Sequence, residues 1–145
     1  MSRSVIVDTN ILIDAAVPDR EHHNEAMLFE DEVAYSGMQS YIAATSLKDA
    51  YYLIKSATDE VFAREYVQCL MRLYSVAAVD ATVCEDAARS NEPDFEDGII
   101  RSCAEGLGVD YIVSRDENAF GHSPIKKMTA QEYLDEFAEH ETADI

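Results

Sequence analysis

Short apolar runs, two of them stopping on an acid, alternate along this chain with stripes of helical spacing, and that alternation leaves few folds open. Val5-Ile6-Val7 is β-branched and stops at Asp8, so it reads as a buried strand. Asn10 to Ala16 follows as a helix, Pro18 to His23 breaks it, and a second helix runs through Phe29. Tyr41-Ile42-Ala43 is a short strand. Ala50, Leu53, Ile54 and Ala57 then fall on one helical stripe, and Phe62, Tyr66, Cys69, Leu70 and Leu73 on another. Val76 to Val79 is a strand ended by Asp80, with a helix through Ala88 behind it. A loop at 90–93 leads into the stripe Ile99, Ile100, Cys103, Ala104 and Leu107, closed by Gly108. Asp110 to Ser114 holds the clearest strand, and Ile125 to Met128 a weaker one. Thr129 and Glu132 are spaced as a capping box ahead of Tyr133, Leu134 and Phe137. Strands alternating with helices imply an α/β protein with a parallel sheet, and uninterrupted apolar strands imply that both faces are covered. Ligands of such sheets bind beyond the carboxyl ends of the strands.

Length and punctuation predict one unit over 1–145. The 145 residues hold five Gly and three Pro, with no repeat and no linker long enough to divide them. The longest apolar run, Ala50 to Ile54, is far short of the roughly 20 residues that cross a bilayer, and an acid interrupts the N-terminal run at once. The expected location is the cytoplasm, with no membrane partner. Cys69, Cys84 and Cys103 lie far apart in apolar surroundings and are expected to be buried, reduced thiols.

Charge narrows the function. Eleven Lys and Arg stand against 29 Asp and Glu, a formal −18. That excludes a protein that grips nucleic acid through a broad basic face and disfavours docking on anionic lipid. It leaves a basic partner, or a site that uses carboxylates to hold cations. Asp8 follows the first strand and Asp116 the clearest one. Asp97 sits in the first turn of the helix feeding that strand, and Asp49 in the first turn of the helix after Tyr41-Ile42-Ala43. In a parallel sheet all four lie near one edge. Gathered carboxylates repel and call for a cation, and oxygen-only donors favour Mg²⁺ or Mn²⁺. Each acid also fits a local role: Asp8 as a helix cap, Asp49 and Asp97 as first-turn acids three residues after Ser46 and Asp94, Asp116 as a turn residue.

Four stretches carry a family resemblance: VDTNILID at 7–14, ATSLKDAYYLI at 44–54, DFEDGIIRSCAEGLGVDYIVSRDENAF at 94–120, and IKKMTAQEYLDEF at 125–137. In this order they resemble the PIN-domain ribonucleases, and most closely the VapC-like toxins of toxin–antitoxin pairs. The resemblance implies a three-layer α/β/α sandwich around a short parallel sheet. It also implies hydrolysis of RNA phosphodiesters with one or two divalent ions, Mg²⁺ or Mn²⁺. Asp8, Asp97 and Asp116 then become metal ligands, with Thr9 and Asn10 completing the first motif. Many members carry Glu where this chain has Asp49, which is one methylene shorter and acts directly or through water. Asn10 and Ser114 are candidates to hydrogen-bond the acids or the phosphate. Asp94 is an outer acid or an N-cap. Lys48 and Arg115 flank the acids as candidate RNA contacts, with Lys126 and Lys127 further off. No histidine is required; His22, His23, His122 and His140 are expected to be solvated. The family analogy adds a cognate antitoxin that blocks the acidic site and a homodimer.

Two other classes fit less well. A catalytically inactive PIN-like module that binds RNA or protein would be expected to lack one of the acids. A phospho-acceptor domain wants paired acids after the first strand and a late-strand Lys, where this chain has Asp8-Thr9-Asn10 and Ser114-Arg115.

Overall fold

A computed structural model describes residues 3–138; His140 lies outside them. The strands are β1 (Ser4–Val7), β2 (Gln39–Ala43), β3 (Ser75–Ala77), β4 (Tyr111–Val113) and β5 (Lys126–Met128). The helices are α1 (Thr9–Ala16), α2 (His23–Ser36), α3 (Ala44–Ala57), α4 (Glu60–Leu73), α5 (Ala81–Arg89), α6 (Phe95–Leu107) and α7 (Ala130–Phe137). The strands form one sheet in the order β3-β2-β1-β4-β5. All four pairings are parallel, with Ile6 opposite Tyr41 on one side and Ile112 on the other. This is the expected α/β sandwich.

Alternation along the strands divides the core into two layers. Val5, Val7, Ile42, Val113 and Met128 pack against α1, α2, α3, α4 and α7. Ile6, Ala43, Ala77 and Ile112 face the opposite way, onto α5, α6 and the buried Ala119 and Phe120 of the β4–β5 loop. Both faces of the central strand β1 are covered, which is why Val5, Ile6 and Val7 form an unbroken apolar run. The chain winds from β1 to β3 on one side of β1, then returns to place β4 and β5 on the other. The strand order therefore reverses between β1 and β4, and in sheets of this kind ligands bind beyond the carboxyl ends of the strands at that switch point.

Several boundaries differ from the sequence reading. Helix α2 continues past Phe29 to Ser36, because the buried stripe Ala26, Phe29, Val33 runs on until Gly37 ends it at φ +70°. Strand β3 is Ser75–Ala77 and stops short of Val79; Asp80 is extended instead, and its carboxylate accepts from Val83 N at 3.0 Å as the cap of α5. Cys69 is exposed on α4, with its Sγ accepting from Arg72, while Cys103 is buried and Cys84 half-buried; all three are free thiols. Gly108 ends α6 at φ +68°, and Thr129 with Glu132 forms the capping box of α7, both as the sequence indicates.

Gly98, in the first turns of α6, is required by close approach. A Cβ there would lie 2.8 Å from the Ala87 carbonyl oxygen and 2.8 Å from Ser90 Oγ, so α5 and α6 meet at this point. Among the described residues, no helix is long and apolar enough to cross a membrane.

Candidate active site

Asp8 ends β1 and caps α1, so the strand-to-helix turn fixes its backbone. Its Oδ1 accepts from Thr9 N at 2.7 Å, and its Oδ2 accepts from Ser114 Oγ at 2.7 Å and from Asn10 Nδ2 at 3.2 Å. Ser114, fully buried at the end of β4, thereby locks β4 to β1 at the switch point; its Oγ also accepts from Asp116 N at 3.1 Å. Asp8 is only 5% exposed. Burial pushes its carboxyl above the usual range, and the charges of Asp116 and Asp94 add to this; the hydrogen bonds from Ser114 and Thr9 offset only part of it.

Helix α6 delivers the next acids from below. Asp94 is exposed and caps the helix, accepting from Asp97 N at 2.8 Å, so the N-cap role is met. Asp97 is 6% exposed, and its Oδ2 has no hydrogen-bond partner. Burial first, then the charges of Asp94, Asp8 and Asp116, push its carboxyl up to about 7. Glu96 beside it was passed over in the sequence reading. It is half-buried, and its Oε1 is enclosed without a partner. Its carboxyl is also pushed up to about 7, by burial first and then by the charges of Asp49, Asp8 and Asp94. Three acids within Asp94-Phe95-Glu96-Asp97, at the start of a helix that feeds a central strand, were the available signal.

Asp49 is half-buried in the second turn of α3, not the first as its spacing from Ser46 suggests, because the helix starts at Ala44 directly after β2 and has no acid in its first turn. Thr9 Oγ1 donates to Ser46 Oγ at 2.7 Å, tying the start of α3 to the start of α1. Asp116 is half-buried on the β4–β5 loop, and its Oδ1 accepts from Asn118 N at 2.9 Å. That loop is held from two sides. Lys127 Nζ donates to the carbonyls of Asp116 and Ala119. Glu92, its side chain 1% exposed, accepts from Phe120 N at 2.7 Å and from Arg101 at 3.0 Å. Phe120 takes the left-handed conformation at φ +68°, a strained turn that these bonds secure.

The fold thus brings Asp8, Asp94, Asp97 and Asp116 into one field, and Asp49 joins through Glu96. Among the described residues, no three carboxylate, imidazole or thiol groups close into a coordination shell by themselves. The donor set still fits a hard cation. Among the described residues four enclosed side-chain atoms lack a partner, Asp97 Oδ2, Glu96 Oε1, Asn10 Oδ1 and Thr45 Oγ1, and all are oxygens. Mg²⁺ is commonly held by one or two carboxylates, with water and substrate phosphate completing its octahedron.

The basic residues lie differently from their chain positions. Lys48 is exposed, with Nζ 6.0 Å from the Tyr52 ring. Arg115 turns away from the neighbouring Asp116 and grips Asp14. Lys126 is exposed on β5, and Lys127 holds the loop. His22 bonds Glu25, His23 bonds the Asp14 carbonyl, and His122 is exposed. None of these bonds reaches Asp8, Asp97 or Asp116.

Comparison with known proteins gives the family of this parallel α/β sandwich. The sequence profile of the PIN domain matches residues 4–118. The chain belongs to the PIN-domain family. No curated protein sequence matches it significantly. Among solved structures, it is similar to VapC20 of Mycobacterium tuberculosis, a sarcin–ricin loop cleaving toxin, with TM-score 0.62 and 16% identity over 77% of this chain and 89% of that one. It is also similar to VapBC2 of Rickettsia felis, solved bound to a DNA fragment from the pair's promoter, with TM-score 0.62 and 12% identity over 87% and 98%. At these identities the likeness is one of fold.

Proposed function

We propose that the chain is a divalent-metal-dependent endoribonuclease acting as the cytoplasmic toxin of a toxin–antitoxin pair. The observation that carries this is Asp97: almost wholly buried, one oxygen unpartnered, and set in the field of Asp8 and Asp116 at the switch point. A fold accepts so unfavourable a carboxylate where a cation offsets it. Asp8, Asp97 and Asp116 hold Mg²⁺ or Mn²⁺, and Asp49 acts directly or through water. When bound, such an ion supplies Lewis acidity to the phosphate and lowers the pKa of a coordinated water. The side chains do the rest. Ser114 and Asn10 orient Asp8, Asp94 sets the start of α6 so that Asp97 faces Asp8, and Lys127 with Glu92 holds the loop that carries Asp116.

Membership of the PIN-domain family supports the nuclease reading, and the VapC likeness of the fold supports the toxin. A cognate antitoxin with a basic segment fits the −18 charge, and charge complementarity of this kind speeds association. The homodimer belongs to the same reading; exposed Tyr52, Leu53, Val61 and Phe62 offer apolar surface on α3 and α4. The test is incubation of purified protein with end-labelled RNA. Internal cleavage that requires Mg²⁺ or Mn²⁺ and stops on chelation is expected; cleavage unaffected by chelation would refute the metal assignment.

A further inference from the structure

We propose that Arg20 and Arg115, clamped together on the buried carboxylate of Asp14, form a seat for an RNA phosphate adjoining the acidic site. This rests on the nuclease reading above and extends it to substrate contact. Asp14 lies on α1 with its side chain 1% exposed. Arg115 holds it with two bonds, Nε to Oδ2 at 2.6 Å and Nη2 to Oδ1 at 3.2 Å. Arg20 adds a third, Nε to Oδ1 at 2.8 Å. Burial alone would raise the Asp14 carboxyl, but the bonds and charges of the two arginines hold it below the usual range.

The bidentate bond from Arg115 already matches the charge and planar shape of the buried acid. Within the hydrogen-bonded cluster of Asp14, Arg115 and Arg20, Arg20 therefore brings one positive charge in excess. Both arginines spend Nε on Asp14. Among the described residues, Nη1 of Arg115 and both Nη of Arg20 have no hydrogen-bond partner, and the side chains keep 32% and 36% of their surface open. Guanidinium edges fixed by a buried carboxylate and facing water are pre-organised for a phosphate, because little side-chain freedom remains to be lost. The position suits a substrate contact. Arg115 stands in the chain between Ser114, which bonds Asp8, and Asp116, and its guanidinium lies within the field of Asp8. Arg20 reaches in from the α1–α2 turn. The exposed Glu21 also acts on Arg115 by charge, but among the described residues it pairs with neither arginine. His23 meets the Asp14 main-chain carbonyl and leaves the guanidinium edges clear.

Arg20 is the residue to test, since Arg115 keeps Asp14 satisfied without it. Fluorescein-labelled single-stranded RNA is titrated by anisotropy across a salt series, with Asp97→Asn as the parent. Arg20→Gln is expected to weaken binding by about 3–10-fold, equally for unrelated sequences. It should also flatten the slope of log K against log salt by ~0.7, the loss of one phosphate contact on a single strand. Arg20→Lys should retain most of the slope. An Arg20→Gln slope equal to the parent's overturns the seat, whether or not the melting temperature falls. The two readings separate cleanly. Metal-dependent cleavage by the wild type with an unchanged Arg20→Gln slope leaves the nuclease standing and removes the seat. An Arg20-dependent slope without cleavage supports the seat and removes the nuclease.

Discussion

Asp97 and Glu96 are the residues where structure and charge meet most sharply. Both carboxyls sit at about 7 in the folded chain, against about 4 when unfolded. Between those values the folded state binds more protons than the unfolded one, so without metal their contribution to stability falls as pH rises from about 4 through 7. A cation binds the ionised form and reverses this loss. The stabilisation by Mg²⁺, read as a melting-temperature shift, should therefore be small at pH 5 and largest above pH 7. Asp97→Asn should raise the metal-free melting temperature at pH 8 by roughly 3–6 °C, the scale of one to two kcal/mol in a chain of this length, and abolish most of the Mg²⁺ shift. A metal shift equal at pH 5 and pH 8 would contradict the assignment. At this scale the sequence disclosed Asp8, Asp94, Asp97 and Asp116, because strand ends and helix caps can be read from spacing. Glu96 carries neither signal, since it follows no strand and caps no helix. The partner of Arg115 was not legible, because adjacency to Asp116 in the chain does not fix where a long side chain points, and its bonds to the buried Asp14 join residues 101 positions apart.

Elements are positioned by close contacts that composition does not announce. Helices α5 and α6 meet at Gly98, so Gly98→Ala should cost about 1–3 kcal/mol in urea denaturation. It should also lower cleavage, because the displaced turn carries Asp97; a variant as stable as wild type would show that the helices can part freely. Helix α2 is tied to the α4 region by Glu30, which accepts from Tyr66 at 3.1 Å and Tyr74 at 2.9 Å. Burial pushes the Glu30 carboxyl up to about 7, against the pull of those two bonds and with the charge of Asp31 adding to it. Its folded value is raised, so its contribution to stability is lost as pH rises through 7. Glu30→Gln should therefore be near neutral at pH 5 and stabilising at pH 8 in chemical denaturation. A stabilisation independent of pH would reject this account. The acids Glu30, Asp31 and Glu32 hid the second half of α2 in the sequence, although Ala26, Phe29 and Val33 keep helical spacing. The capping box at Thr129 and Glu132 was legible because both of its bonds are local.

The whole molecule reconciles an acidic chain with a nucleic-acid substrate. Positive field is local in this account, from a bound cation and from the paired arginines, while the remaining surface is free to be acidic. Alternation of strands and helical stripes was enough to read a parallel sheet covered on both faces. The strand order was not legible, because the reversal between β1 and β4 depends on long-range pairing. That reversal sets Asp8 after β1 near Asp116 after β4, α6 adds Asp94 and Asp97 to the same field, and cleavage is proposed to require their joint action. Single-turnover cleavage of labelled RNA by wild type and Asp97→Asn, both at saturating Mn²⁺, tests it most directly. A loss of at least ~100-fold, about 3 kcal/mol of transition-state stabilisation, is expected in a variant that remains folded. Equal rates would contradict it.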